Sequence, residues 1–413
     1  MRPAAPPRAL SLLLAAAVLA VAACSGGGGG GDRADGDDEG AGREGGSEAA
    51  EAEEYTGPVE GFYDVPDPLP PGEPGDLIRT MPIEAPEGQV GLRIMYHSTD
   101  AAGDDRAVTG VLYHPTAEPP EGGWPILAWA HGTTGIAPQC APSRGPLAPP
   151  TFGVEGVIVA ADYQGLGPNG QLHPYLSAAA EGHAVVDSVA AARALSEAHA
   201  GDRWAVAGHS QGGHAALVTN EMAADRLPDA ELVGTVAIAP GAQLAETYGD
   251  EVQTRIITAI VLFGAAAENA GPDAPDVDPR DYLSPEVYEA AADVMEDACL
   301  GEIISTLLPF AGREDFFTTD PRTEAAGTAW LEQNDPGQVR SDAPLLLVQG
   351  GRDTIVVPAR TEALVDRLCD LGQVVDRIDL PNADHDTEPR EAADEIEAWL
   401  DARFAGEEAQ DDC

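Results

Sequence analysis

Residues 204–214 read Trp-Ala-Val-Ala-Gly-His-Ser-Gln-Gly-Gly-His: a short apolar run, a serine framed by Gly208 and Gly212, and then an alanine-rich pattern. The run predicts a buried strand, and the pattern predicts a helix from Gly212 to Ala224. A strand that enters a helix through one tight turn is the setting of a nucleophile elbow. Such a turn lifts the Ser210 hydroxyl into a cleft, and glycine at 208 and 212 lets backbone and helix meet where side chains would collide. The amide of Gln211 then falls at a helix N-terminus, where it can donate to an oxyanion. Gly-x-Ser-x-Gly alone recurs by chance; its strand and helix flanks are what single out Ser210.

Working outward, Pro125 to Ala130, Val154 to Ala161, Leu232 to Ala239 and Leu345 to Gln349 are short apolar runs followed by glycine- or proline-bearing loops. Between them lie helical patterns at Ala178 to Leu195, Ala359 to Leu371 and Glu391 to Phe404. Strands alternating with helices predict an α/β protein with a mostly parallel sheet covered by helices. Upstream, Val90 to Tyr96 and Ala107 to Tyr113 alternate with period two and read as an antiparallel pair. The alternation stops from Gly241 to about Val339, where helical patterns include Thr254 to Ala267 and a helix begun by Ser284 with Pro285 in its first turn. An insertion of that size, placed before the strand at Leu345, reads as a helical cap over the carboxyl ends of the strands. Within it Ile303, Ile304, Leu307, Leu308 and Phe310 form an apolar patch at helical spacing, suited either to an acyl chain or to ordinary packing.

A serine needs a base, and in a sheet of this kind the acid and then the histidine follow it along the chain. Eight of the nine histidines lie at or before His214, so His385 is the expected base. It sits in a loop after the strand-like Val374 to Leu380. The acid is expected in a loop after a strand's carboxyl end, and Leu345 to Gln349 runs directly to Asp353. Asp370 and Asp376 are rivals, but one falls in a helical pattern and the other at a strand start. Asp384 and Asp386 stand too close to His385 in sequence to orient it easily. The second oxyanion donor is expected from the loop His131-Gly132-Thr133-Thr134-Gly135, with the Thr133 amide first and Thr134 second. His131 reads as a buttress of that loop, and Asp162 and Tyr163 as supports of the cleft.

The whole chain has 71 acidic residues against 22 basic ones, all arginine, for a net charge of −49. That balance leaves no basic surface for a phosphate backbone, so nucleic-acid partners are not expected. Residues 1–23 carry Arg2 and Arg8, then an apolar run too short to span a bilayer, and read as a signal peptide. The run ends in Val21-Ala22-Ala23-Cys24, which resembles a bacterial lipobox and makes Cys24 the expected lipidated residue; ordinary secretion after Ala23 is the alternative. Residues 24–56 are rich in Gly, Ala, Asp and Glu, too poor in apolar side chains to fold, and read as a linker to the membrane. A flexible coil of that length reaches on the order of 30 Å. The folded domain is expected over 57–405, followed by a tail at 406–413. Cys140, Cys299, Cys369 and Cys413 remain; they lack metal-ligand spacing, and in an exported chain two disulfides are expected, with three possible pairings.

His131-Gly-Thr-Thr-Gly135 with Cys140 behind it, Asp162-Tyr-Gln-Gly-Leu-Gly167, His173-Pro-Tyr175, Gly208-His-Ser-Gln-Gly-Gly-His214 and Asn334-Asp-Pro-Gly337 together resemble the secretory lipase family, from about Tyr55 to Phe404. The resemblance implies an α/β-hydrolase with a helical cap and esterase or triacylglycerol lipase activity through an acyl-enzyme, with Ser210, Asp353 and His385 as the triad. It implies no cofactor or metal. It also implies a bridge from the oxyanion-loop cysteine to the cap, so Cys140 is expected with Cys299, and Cys369 with Cys413. The substrate is then a small-molecule or lipid ester. Competing readings keep the triad for an envelope acyltransferase or a peptidase, or make the chain a catalytically silent lipid-binding lipoprotein.

Overall fold

The computed structural model describes residues 52–413 apart from 147, 169, 248–251 and 269–273. The expected signal peptide, Cys24 and nearly all of the expected linker lie outside the described residues. Ten strands form one sheet: β1 (Glu53–Glu54), β2 (Leu77–Ile83), β3 (Gln89–Thr99), β4 (Asp105–Pro115), β5 (Trp124–Ala130), β6 (Val157–Ala161), β7 (Ala200–His209), β8 (Glu231–Ile238), β9 (Leu345–Gly350) and β10 (Val375–Leu380). Their order is β1-β2-β3-β4-β6-β5-β7-β8-β9-β10. From β6 through β10 every pairing is parallel, whereas β2, β3, β4 and β6 pair antiparallel.

The central parallel strands β5, β6 and β9 are largely apolar because both faces are covered, whereas the edge strand β10 carries Asp376, Arg377 and Asp379. Helices Ala178–Ala194 and Gln211–Arg226 pack on one face through Val185, Val189 and Ala215, against Ile126, Val159 and Val206. On the other face Ile396, Trp399 and Leu400 of helix Ala393–Phe404 meet Leu127, Val236 and Val348. The chain order reverses across β5, with β6 on one side and β7 on the other, so a crevice opens at the carboxyl ends of these strands.

Between β8 and β9 the chain leaves the sheet. Helices Leu244–Thr247, Val252–Ala267, Pro285–Met295, Leu300–Ala311 and Ala325–Asn334 form a cap with its own apolar core, in which Ile260, Val287, Met295, Leu307, Phe316 and Trp330 are buried. The cap is tied to the loop after β5 by the disulfide Cys140–Cys299 and by the amide of Leu300, which donates to the Thr134 carbonyl (2.8 Å). A second disulfide, Cys369–Cys413, joins helix Pro358–Asp370 to the C-terminus.

Two boundaries differ from those read in the sequence. The sheet begins at Glu53, inside the segment assigned to the linker, because the Tyr55 amide donates to the Thr80 carbonyl (2.7 Å) and Arg79 pairs with Glu53 (2.8 Å). The strand read from Val154 starts at Val157, since Phe152 and Gly153 take positive φ and the Val154 amide closes a turn onto Thr151. The expected tail at 406–413 is held by the second disulfide, and the Asp412 amide donates to the Val375 carbonyl (2.7 Å).

Candidate active site

Four loops at the carboxyl ends of β5, β7, β9 and β10 converge on one cavity. After β7, Ser210 turns the chain with φ 59° and ψ −116°, a conformation L residues seldom adopt. The turn is held on all sides: the Ser210 amide donates to the Ile238 carbonyl (2.9 Å), and the Ser210 carbonyl accepts from Gly241 (3.0 Å) and His214 (3.1 Å). A Cβ on Gly208 would collide with the Gly212 carbonyl, and one on Gly212 with the Ala130 carbonyl. The elbow is therefore closed to any side chain at either position.

From the loop after β10, His385 Nε2 lies 2.9 Å from Ser210 Oγ. Its Nδ1 lies 2.7 Å from Oδ2 of Asp353, which comes from the loop after β9. The other carboxylate oxygen of Asp353 accepts the amides of Ile355 (2.7 Å) and Val356 (2.9 Å). Burial raises the pKa of this acid, but the bond and charge of His385 and the two amides outweigh it and hold the carboxyl below its usual range. His209 packs on the His385 ring at 4.6 Å; burial first, then the neighbouring His385, push its imidazole down to about 4. That shift favours a neutral ring beside His385. The rivals stand elsewhere, with Asp370 ending helix Pro358–Asp370 and Asp376 on β10.

The loop after β5 runs against the elbow, where a Cβ on Gly132 would sit 3.8 Å from that of Ser210. Thr133 and Thr134 both line the cavity, and the Thr133 hydroxyl is tied to the Tyr175 hydroxyl (2.7 Å). His131 Nδ1 donates to the Gly132 carbonyl (2.7 Å), and its ring stacks on Tyr163 at 4.3 Å. Tyr163 in turn donates to the His131 carbonyl (2.9 Å), and burial keeps the His131 pKa low. Asp162 accepts from Thr109 and from the amide of Ser143. Their contacts hold the loop and the cleft wall.

Gln211 occupies the first helical position, where its amide has no intrahelical acceptor. Its side chain does more than the sequence suggested. Nε2 donates to Glu181 Oε1 (2.7 Å) and lies 2.7 Å from His173 Nε2. Glu181 also takes His214 Nδ1 (2.7 Å), whose Nε2 donates to the Asn334 carbonyl (2.8 Å). All four of these side chains are buried. Burial opposes the charge on Glu181, yet His214 and His173 bring its pKa down to about 2, while Glu181 raises that of His214. A buried ion pair thus lies beneath the elbow and links it to the cap through Asn334. An acid in an alanine-rich helix, with histidines near it only in space, gave no sequence signal of this role.

The cavity has a volume of about 600 Å³ and is mostly apolar, with Trp129 and Ala160 on the sheet side and Ile257, Leu300 and Ile304 on the cap side. Of the apolar patch read in the cap, Ile304 faces the cavity, Ile303 and Leu307 are buried in the cap core, and Leu308 is exposed. The arrangement can deliver an activated hydroxyl to an uncharged, partly apolar substrate held between sheet and cap.

Known structures share this architecture. Lipase A from Candida antarctica is 16% identical, with 86% of this chain and 88% of that chain covered and a TM-score of 0.71. The rice cell wall degrading esterase LipA from Xanthomonas oryzae is 19% identical, with 81% and 99% covered and a TM-score of 0.66. At these identities the likeness concerns the fold. The chain matches no curated protein in sequence. Residues 153–412 match the family model for secretory lipases, a span from the cleft wall through the elbow and cap to the C-terminal tail. The chain is therefore a carboxylic ester hydrolase and belongs to the secretory lipase family.

Proposed function

We propose that Ser210, His385 and Asp353 carry ester hydrolysis through an acyl-enzyme. Ser210 Oγ attacks the ester carbonyl while His385 Nε2 takes its proton; the alcohol leaves with that proton, and water then repeats the sequence on the acyl-serine. Asp353 holds the Nδ1 proton and steadies the imidazolium. The amides of Gln211 and Thr133 receive the oxyanion, one from a helix N-terminus and the other from a loop pinned by Tyr175. The observation that carries this reading is the bridge made by one imidazole, 2.9 Å from Ser210 Oγ and 2.7 Å from Asp353 Oδ2.

The apolar walls favour an acyl chain over a peptide, and the test is product analysis across a series of nitrophenyl esters with and without a small alcohol. Free acid as the dominant product in both conditions supports hydrolysis. A new ester formed in preference to acid would make the enzyme an acyltransferase, and failure to cleave any ester would favour a binding role.

At the front end, the reading is an exported enzyme attached to the outer face of the cell membrane through Cys24. Its support is the lipobox-like Val21-Ala22-Ala23-Cys24, together with a family of exported enzymes and two disulfides in the folded body. A diacylglyceryl cysteine carries at least two chains, enough for stable attachment where one is marginal. Cells making the full chain are expected to hold the enzyme in a detergent-extractable membrane fraction, and Cys24→Ser is expected to shift it to the medium or stall it as precursor. Wild-type enzyme in the supernatant with a bare Cys24 would leave ordinary secretion in its place.

A further inference from the structure

Behind the Asp353–His385 pair sits another acid. Glu388 opens the short helix Glu388–Glu391, and its side chain is fully buried. Its carboxyl, that of Asp353 and a ring nitrogen of His385 lie within 4.8 Å of one another. The room for it comes from Gly350 at the end of β9, since a Cβ there would collide with Glu388 Oε1. Asp353 faces Glu388 from the loop after β9, and Asp384 and His385 from the loop after β10. The Gly350 amide pulls toward ionisation, but neither Glu388 oxygen completes a hydrogen bond with a donor among the described residues.

Two anions this close in a buried site repel, which favours a proton on one of the carboxyls. Asp353 has the His385 imidazole and two backbone amides to stabilise its charge; Glu388 has nothing comparable. Asp353 Oδ2 and His385 Nδ1 are already bonded to each other, so a metal ion between the three groups would have to break the triad's own bond.

We propose that Glu388 is a positioning residue of the triad: a neutral carboxylic acid whose O–H donates to the Asp353 carboxylate and fixes its orientation without adding charge. Burial, then the charge of Asp353, push the Glu388 carboxyl up to about 9, while Asp353 lies below its usual range. The environments thus drive the two acids apart, one kept neutral and the other anionic.

A sign follows for stability. The folded chain holds the Glu388 proton up to about 9 whereas an unfolded glutamate releases it near 4.5, so this group lowers stability progressively as pH rises through that window. Glu388→Gln keeps the shape and a donor toward Asp353 but has no proton to lose. Its Tm relative to wild type is therefore expected to climb between about pH 5 and about pH 9. An infrared carbonyl band of a protonated carboxylic acid is expected in wild type at neutral pH and absent from Glu388→Gln. In turnover, Glu388→Ala is expected to lose about ten- to hundredfold in kcat with KM little changed, as for any loosened catalytic geometry, and Glu388→Gln to recover most of that loss.

A Tm difference that stays flat with pH, a missing infrared band, or a Glu388→Gln enzyme as impaired as Glu388→Ala would each overturn the proposal. It rests on the triad assigned above, but the Tm and infrared readouts need no turnover. Failure of the triad would instead appear as an active Ser210→Ala enzyme.

Discussion

Ser210→Ala is expected to lower ester turnover by roughly 10⁵ to 10⁶, with the fold unchanged. In the proposed mechanism the hydroxyl is the atom that attacks, and the 2.9 Å contact with His385 Nε2 is the path by which its proton leaves. His385→Ala should cost nearly as much, and the double variant little more, because nucleophile and base act as one unit. What remains would come from the cavity and from the proposed oxyanion donors, the amides of Gln211 and Thr133, which the substitution leaves in place. Initial rates on a soluble ester measure this directly. Either single variant retaining a tenth of the wild-type rate would remove Ser210 and His385 from these roles.

Asp353→Asn is expected to slow the reaction by about 10³ to 10⁴ while leaving the circular dichroism spectrum unchanged. The local geometry explains why the loss should be so large for so small a change. Oδ1 of Asp353 accepts two backbone amides, from Ile355 and Val356, so an asparagine must turn its carbonyl to that side. Its NH₂ then faces His385 Nδ1 and donates to it, which forces the imidazole proton onto Nε2, the atom that must accept from Ser210. The base is present in the wrong tautomer. A crippled Asp370→Asn or Asp376→Asn enzyme, with Asp353→Asn active, would place the acid elsewhere.

How far the site could be read from the sequence depends on the kind of constraint. Ser210 announces itself because the elbow needs glycine on both sides, and His385 follows because only one histidine lies downstream of an acid after Ser210. Asp353 is legible from its place after an apolar strand. The alternation of strand and helix, and its interruption between β8 and β9, likewise give the layered sheet and its cap. Glu181 and Glu388 are different. Each lies in a segment whose pattern reads as an ordinary helix or loop, and what makes them matter is burial against residues distant in the chain, such as His214 for Glu181 and Asp353 for Glu388. Local pattern carries no record of such contacts. The start of the sheet at Glu53 was hidden for a related reason: an exposed edge strand of two glutamates has the composition of the acidic segment before it.

The most direct measurement of the central claim is covalent labelling of the folded, non-reduced enzyme with a fluorophosphonate, followed by mass spectrometry of its peptides. A serine activated by His385 should take one adduct, on Ser210, and labelling should vanish in Ser210→Ala and nearly vanish in His385→Ala. An adduct on another residue, or a correctly folded wild-type enzyme that takes none, would contradict the triad.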